Sequence, residues 1–152
     1  LIRQEDMLTV KKKVILLSSL GVIPFYSDIL IIYLINFYNI KLFPNIDLLS
    51  FFYGSLISSF LCGMHWINLI NTKKKFLSIP MIPVILLWIS FFLEKIFFQL
   101  TVILSLLWCL NVDISILKNE NNLWFKKMRI IITIIAILPL IYNLFINRIS
   151  YL

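Results

Sequence analysis

The chain has 152 residues, 61% of them hydrophobic and 14% charged, whereas a soluble domain is about 45–50% apolar and about 25% charged. With a mean hydropathy of +0.99, lipid rather than water is the expected solvent for most of the chain. The formal charge of +7 lies in short clusters between apolar runs, not in a basic stripe with interleaved aromatics. That pattern reads as membrane topology and excludes a nucleic-acid partner.

One membrane domain, 1–152, is expected from the length. The 29 isoleucines against a single alanine, Ala136, suggest the codon bias of an AT-rich genome, as in endosymbiotic bacteria and organelles. Cys62 and Cys109 both fall in apolar runs and read as small membrane-buried thiols. No cleavable signal peptide is expected, because the first apolar run is too long for one and no small-residue cleavage site follows.

Residues 1–13 read as a polar tail ending in Lys11-Lys12-Lys13. The first span is 14–35, interrupted only by Asp28; about 20 apolar residues cross a bilayer core. Pro24 is compatible with a membrane helix if neighbours satisfy the carbonyl it frees. Gly21, Pro24 and Asp28 fall on one helical face.

After a loop over 36–47, the second span covers about 48–70 and holds the only histidine, His65. Two ladders of small residues run along it, Gly54-Ser58-Cys62 and Ser55-Ser59-Gly63. Small residues at this spacing let helix backbones approach in lipid, which marks this span as the centre of the bundle.

Span three, about 77–93, begins with Pro80 and Pro83 and ends at Glu94-Lys95, so it forms a tight hairpin with span four, about 96–116. Span four carries a polar stripe of Thr101, Ser105, Cys109 and Asp113. A polar loop over 117–127 leads to span five, about 128–147, with Arg129, Thr133, Ala136, Leu140, Asn143 and Asn147 on one face. The expected fold is therefore all-α: a polytopic bundle of five transmembrane helices.

With five spans, one side receives eleven cations (Arg3, Lys11–13, Lys73–75, Lys118, Lys126, Lys127, Arg129) and the other three (Lys41, Lys95, Arg148). The excess of Lys and Arg places the N-terminus inside, in the cytoplasm or the mitochondrial matrix. Trp66 and Trp124 then lie near the inner boundary as interfacial aromatics.

Four helices bring unusual residues toward the inner leaflet. Ionisable groups in a membrane pair or face a cavity, so Asp113 and Arg129 are expected to pair, with His65 close by. An ion pair that fixes helix register and a proton or substrate site are both compatible with these residue types. Metal or haem ligation is not expected: Cys62 and His65 share a face, but one histidine without further ligands makes a poor site. Asp28 reads as a protonated or hydrogen-bonded acid at a helix interface. No nucleotide loop, nucleophile elbow or paired glycosidase-type acids occur, so no catalytic residues, enzyme activity or cofactor are expected.

Two readings of function follow. The first is a non-enzymatic subunit or assembly factor of a larger inner-membrane complex, whose partners are lipid and other membrane proteins. The second is a small transporter, or a proton- or lipid-handling protein, using His65, Asp113 and Arg129.

The blocks Leu20-Gly21-Val22-Ile23-Pro24-Phe25, Tyr53-Gly54 and Ser59-Phe60-Leu61-Cys62-Gly63-Met64-His65-Trp66, followed by Pro83, Trp88, Asp113, Trp124, Arg129 and Thr133, carry a resemblance. Over nearly its whole length the chain resembles the transmembrane-protein-69-like family, a bacterial and mitochondrial membrane family of unknown function. The resemblance implies a five-span integral membrane protein and supplies no activity.

Overall fold

The computed structural model describes residues 4–38, 46–71, 79–116 and 123–149. Among them the regular elements are all helical: α1 (Gln4–Leu20), α2 (Ser27–Tyr38), α3 (Leu49–Asn71), α4 (Met81–Ser90), α5 (Lys95–Ile116) and α6 (Leu123–Ile149), with short 3₁₀ turns at Ile23–Tyr26 and Ile46–Leu48.

The directions of the helices follow from which side chains meet. Asp47 with Lys95, Ser58 with Ser105, Cys62 with Cys109 and His65 with Asp113 keep a sequence separation of 47 or 48 residues. A constant separation means that α3 and α5 run parallel. α4 runs back between them: Val84 packs beside Leu61 and Cys62, while Phe91 at its end meets Phe52 and Phe98. Gly21 meets Tyr53 while Asp28 meets Ser50, and Tyr26 meets Ile135 while Asp28 meets Asn143, so the first pass, which ends in α2, is antiparallel to α3 and parallel to α6. Among the described residues the chain thus makes five passes through the bundle in alternating directions.

Among the described residues, three stretches are long and apolar enough to cross a membrane: Thr9–Leu34, Lys95–Ser115 and Leu123–Ile146. α4 is shorter. α3 has 23 residues, about 34 Å at 1.5 Å per residue, but its small and polar residues make it less apolar. One face of α3 is packed closely: Gly54 is so near α5 and the 3₁₀ turn that an added Cβ would lie 2.8 Å from Val102 Cγ1 and 3.3 Å from Phe25 Cε1. The outer surface, by contrast, exposes Leu17, Leu30, Phe37, Trp88, Phe92 and Leu104, an apolar cover of the kind lipid solvates rather than water.

Several boundaries differ from the sequence expectation. The first span is not one helix: Phe25 N–H donates to the Val22 carbonyl, a 3₁₀ bond that breaks the ladder at Gly21–Pro24. The residues read as a polar tail are helical from Gln4, and α6 starts at Leu123 rather than 128. In both places the helix extends past the apolar run into turns that carry lysine, so apolar length marks the membrane-type stretch and not the helix. Residues 72–78 and 117–122, which include Lys73–75, lie outside the described residues.

The core is made by Phe25, Phe51, Leu87, Phe98, Val102, Leu106, Ala136, Ile137 and Leu140. Every pass contributes to it, and it separates two buried polar clusters at opposite ends of α3.

Candidate functional site

The first cluster is centred on His65, Asp113 and Arg129. α3 presents His65, α5 presents Asp113 and α6 presents Arg129, because the parallel register of α3 with α5 and the antiparallel return of α6 bring these positions to one level. His65 Nε2 lies 2.7 Å from Asp113 Oδ1. Arg129 Nε donates to Asp113 Oδ2 at 2.7 Å, with Nη2 2.6 Å from the same oxygen. Each carboxyl oxygen thus serves one partner.

His65 is 1% exposed, and the Asp113 and Arg129 side chains are 13% and 14% exposed. With a neutral imidazole the formal charge of the cluster is zero, which keeps it compatible with burial. It is not fully satisfied: His65 Nδ1 is buried without a hydrogen-bond partner, and Arg129 Nη2 makes an ion contact rather than an aligned hydrogen bond. Gln99 Nε2 in α5 is likewise buried and unpartnered.

The second cluster, at the other end of α3, surrounds Asp28, which is fully buried. Its Oδ1 accepts from Ser50 N–H at 2.8 Å and from the Ser27 hydroxyl at 3.4 Å. Its Oδ2 accepts from the Ser50 hydroxyl and from Asn143 Nδ2, the latter at 3.0 Å. Asp28 is in the first turn of α2, and Ser50 is in the first turn of α3. One carboxyl therefore meets the N-terminal ends of two helices, where backbone N–H groups lack intrahelical partners and negative charge is favoured. Asn143 ties in α6. The sequence placed Asp28 at an interface without naming its partners; Asn143, on the face of the last helix that also carries Arg129 and Thr133, was the available signal.

Between the clusters, the α3–α5 seam holds a hydroxyl pair and a thiol pair. The Ser105 hydroxyl, which donates to the Val102 carbonyl at 2.8 Å, lies 2.9 Å from the Ser58 hydroxyl. Cys62 Sγ lies 3.7 Å from Cys109 Sγ.

The small-residue ladders separate. Gly54, Ser58 and Cys62 face α5 and are buried. Ser59 and Gly63, expected at helix contacts, are exposed, and an added Cβ on Gly63 would meet nothing within 4 Å. The reason is angular. The two ladders are offset by one residue, so only one of them can face α5. The hydroxyls of Ser55 and Ser59 fold back onto their own helix, at the carbonyls of Phe52 and Ser55. Thr101, read as part of the polar stripe, likewise bonds its own helix at the Phe97 carbonyl.

Gly21 and Pro24 sit at the break in the first pass. The Gly21 carbonyl, released by the 3₁₀ turn, accepts from the Tyr53 hydroxyl at 3.0 Å. A second proline, Pro139, lies inside α6. It has no N–H for the Ile135 carbonyl, and the Tyr26 hydroxyl donates to that carbonyl at 3.0 Å. Two tyrosines thus satisfy two interrupted helices, a pairing that sequence reasoning missed. Of the boundary aromatics, Trp124 is half-buried with Lys11 Nζ 5.3 Å from its ring centre, and Trp66 is exposed. Glu94 is exposed, and Lys95 pairs with Asp47.

Comparison with known proteins gives a matching family model described as "Protein of unknown function (DUF3429)", over residues 10–145. The chain is also 28% identical over 141 residues to a frog (Xenopus tropicalis) protein named transmembrane protein 69, covering 88% of this chain and 54% of that protein. The chain thus spans about half the length of the curated relative it matches. No solved structure matches. With three helical stretches of membrane-crossing length and apolarity among the described residues and a family match that includes all six helices at least in part, the chain is a helical membrane protein and belongs to the DUF3429, transmembrane-protein-69-like family.

Proposed function

We propose that the chain crosses a bacterial or mitochondrial inner membrane five times, N-terminus inside, and works without catalysis as a subunit or assembly factor of a larger membrane complex. Five alternating passes support the span number: α3 has 23 residues, and α4, though short, is apolar and exposes Leu86 and Trp88 on its outer side. Lys126 and Lys127 begin α6 at the end that also holds Lys11–13 of α1, in line with a positive inner side.

The observation that carries the association reading is the outward row of Ser55, Ser59 and Gly63. Its hydroxyls are bonded to their own helix and Gly63 faces open space, so a further helix could approach this backbone closely. The test is to solubilise the tagged chain in mild detergent and measure its native size and co-purifying proteins by mass spectrometry. Recovery in an assembly of fixed stoichiometry, lost in Gly63→Leu while the isolated chain keeps its unfolding temperature, is the expected result. Migration alone or as a small homo-oligomer overturns the reading.

One observation favours a second reading, a proton- or lipid-handling protein: the buried, unpartnered His65 Nδ1 has capacity for a proton or a ligand group. On that reading His65→Ala abolishes proton flux or lipid binding in proteoliposomes while the protein stays folded. Unchanged flux and binding remove it.

A further inference from the structure

The thiol pair in the α3–α5 seam is used by neither reading. Cys62 and Cys109 are both free, 3% and 0% exposed, and their sulfurs are in contact at 3.7 Å. They come from separate passes, so this contact is tertiary and depends on helix register. The register is fixed on both sides. Ser58 and Ser105 meet on one side of the thiols, and His65 and Asp113 on the other. Small side chains at Gly54 and Ser58 hold the two backbones close. A disulfide needs a sulfur separation of about 2.05 Å, so the sulfurs must close by about 1.7 Å, a shift on the scale of side-chain rotation rather than helix rearrangement.

We propose that Cys62 and Cys109 are a reversible dithiol–disulfide pair that, when oxidised, locks α3 to α5. The oxidant class is a lipid-soluble quinone. Both S–H bonds break, one S–S bond forms between Cys62 and Cys109, and two electrons and two protons pass to the quinone, which leaves as the hydroquinone. Burial sets the choice of acceptor: the thiols sit among Leu61, Ile57 and Val84, away from water. Val84 packs against the pair, and its neighbour Pro83 lines an apolar groove of about 530 Å³ between α4 and α5. That groove brings a lipid-dissolved ring within one residue of the cover over the sulfurs. The disulfide would hold the helix pair one turn from the His65–Asp113 contact, so oxidation state and the integrity of that cluster become linked.

The test uses the full chain, reduced, in lipid nanodiscs, with a fully ring-substituted short-chain benzoquinone as probe, so that a thiol has no open ring carbon to add to. After oxidation and alkylation of remaining thiols in denaturant, trypsin cuts at Lys73–Lys75 between the two cysteines. The expected result is two fragments that stay joined on a non-reducing gel, separate after dithiothreitol, and show an intact mass lower by two hydrogen atoms with no alkylated cysteine. Cys62→Ser and Cys109→Ser should each lose the linkage, and Val84→Ala should oxidise faster. The oxidised wild type should also unfold at a higher temperature than the reduced form. Full alkylation of both cysteines after quinone treatment, or linkage between chains rather than within one, overturns the proposal. The thiol count is read on denatured protein, so it holds even where a variant folds poorly.

Discussion

The two buried carboxyl clusters solve one problem in different ways. Each places an acid where three passes meet, about 22 Å apart along α3 from Ser50 to His65 at 1.5 Å per residue. Asp28 is surrounded by neutral donors, two of them from Ser50 at the start of α3 and one from Asn143. No buried polar atom there lacks a partner among those described. Asp113 is held by a guanidinium and an imidazole, and this cluster leaves His65 Nδ1 and Arg129 Nη2 unsatisfied. The Asp28 end is closed by helix-end geometry. The Asp113 end is closed by charge, and less completely. The Asp28 cluster leaves no buried side-chain donor or acceptor over, whereas the Asp113 cluster keeps a buried spare nitrogen at His65.

The largest expected effect breaks that charge balance. Asp113→Asn leaves Arg129 buried without a counter-charge, and removing one partner of a buried pair costs about 3–5 kcal/mol. Asp28→Asn keeps an accepting oxygen but turns one site into a donor, at about 1–3 kcal/mol. Unfolding midpoints of both variants in nanodiscs check the order. Equal losses would mean that the two clusters do the same work. The pair Asp113→Leu with Arg129→Met sharpens the point, because replacing both charges should recover much of the loss.

The next effect compares the two glycines of α3. Gly54→Ala drives a methyl against Val102 Cγ1 at 2.8 Å, and overpacking of this kind costs about 1–3 kcal/mol. Val102→Ala in the same chain should return part of it. Gly63→Ala meets open space and gains helix propensity of up to about 1 kcal/mol, so the isolated chain should be unchanged or slightly more stable. A loss at Gly63 as large as that at Gly54 would show that the second ladder is packed after all.

These two glycines also mark how far the sequence could be read. Asp113, Arg129 and His65 stand out because charge is rare inside apolar runs, and helix counting alone brings them to one depth. The Gly54 and Gly63 ladders have identical spacing, and nothing in the spacing says which face meets another helix; only the position of α5 decides. The break in the first pass had its signal in Gly21 and Pro24, but a proline inside a membrane helix reads equally as a kink or a continuation. The helical starts at Gln4 and Leu123 were missed because their polar turns lack apolar periodicity. Asp28 lacked named partners for a different reason: Ser50 and Asn143 are neutral and common, and only the tertiary fold singles them out.

The smallest effect concerns the tyrosine that serves the proline-containing last helix. Tyr26→Phe removes a hydroxyl from the Ile135 carbonyl, and a hydrogen bond of this kind is worth about 0.5–1.5 kcal/mol. Taken alone, such a loss cannot be told from altered packing of the ring. Pro139 supplies the control, because the carbonyl needs Tyr26 only while residue 139 has no N–H. In a Pro139→Ala background the new N–H can bond Ile135 within α6, so Tyr26→Phe should then cost close to nothing. A double-mutant cycle on unfolding midpoints isolates that coupling. If Tyr26→Phe costs the same in both backgrounds, the hydroxyl is not compensating for the proline. The contact between the first and last passes would then rest on packing alone.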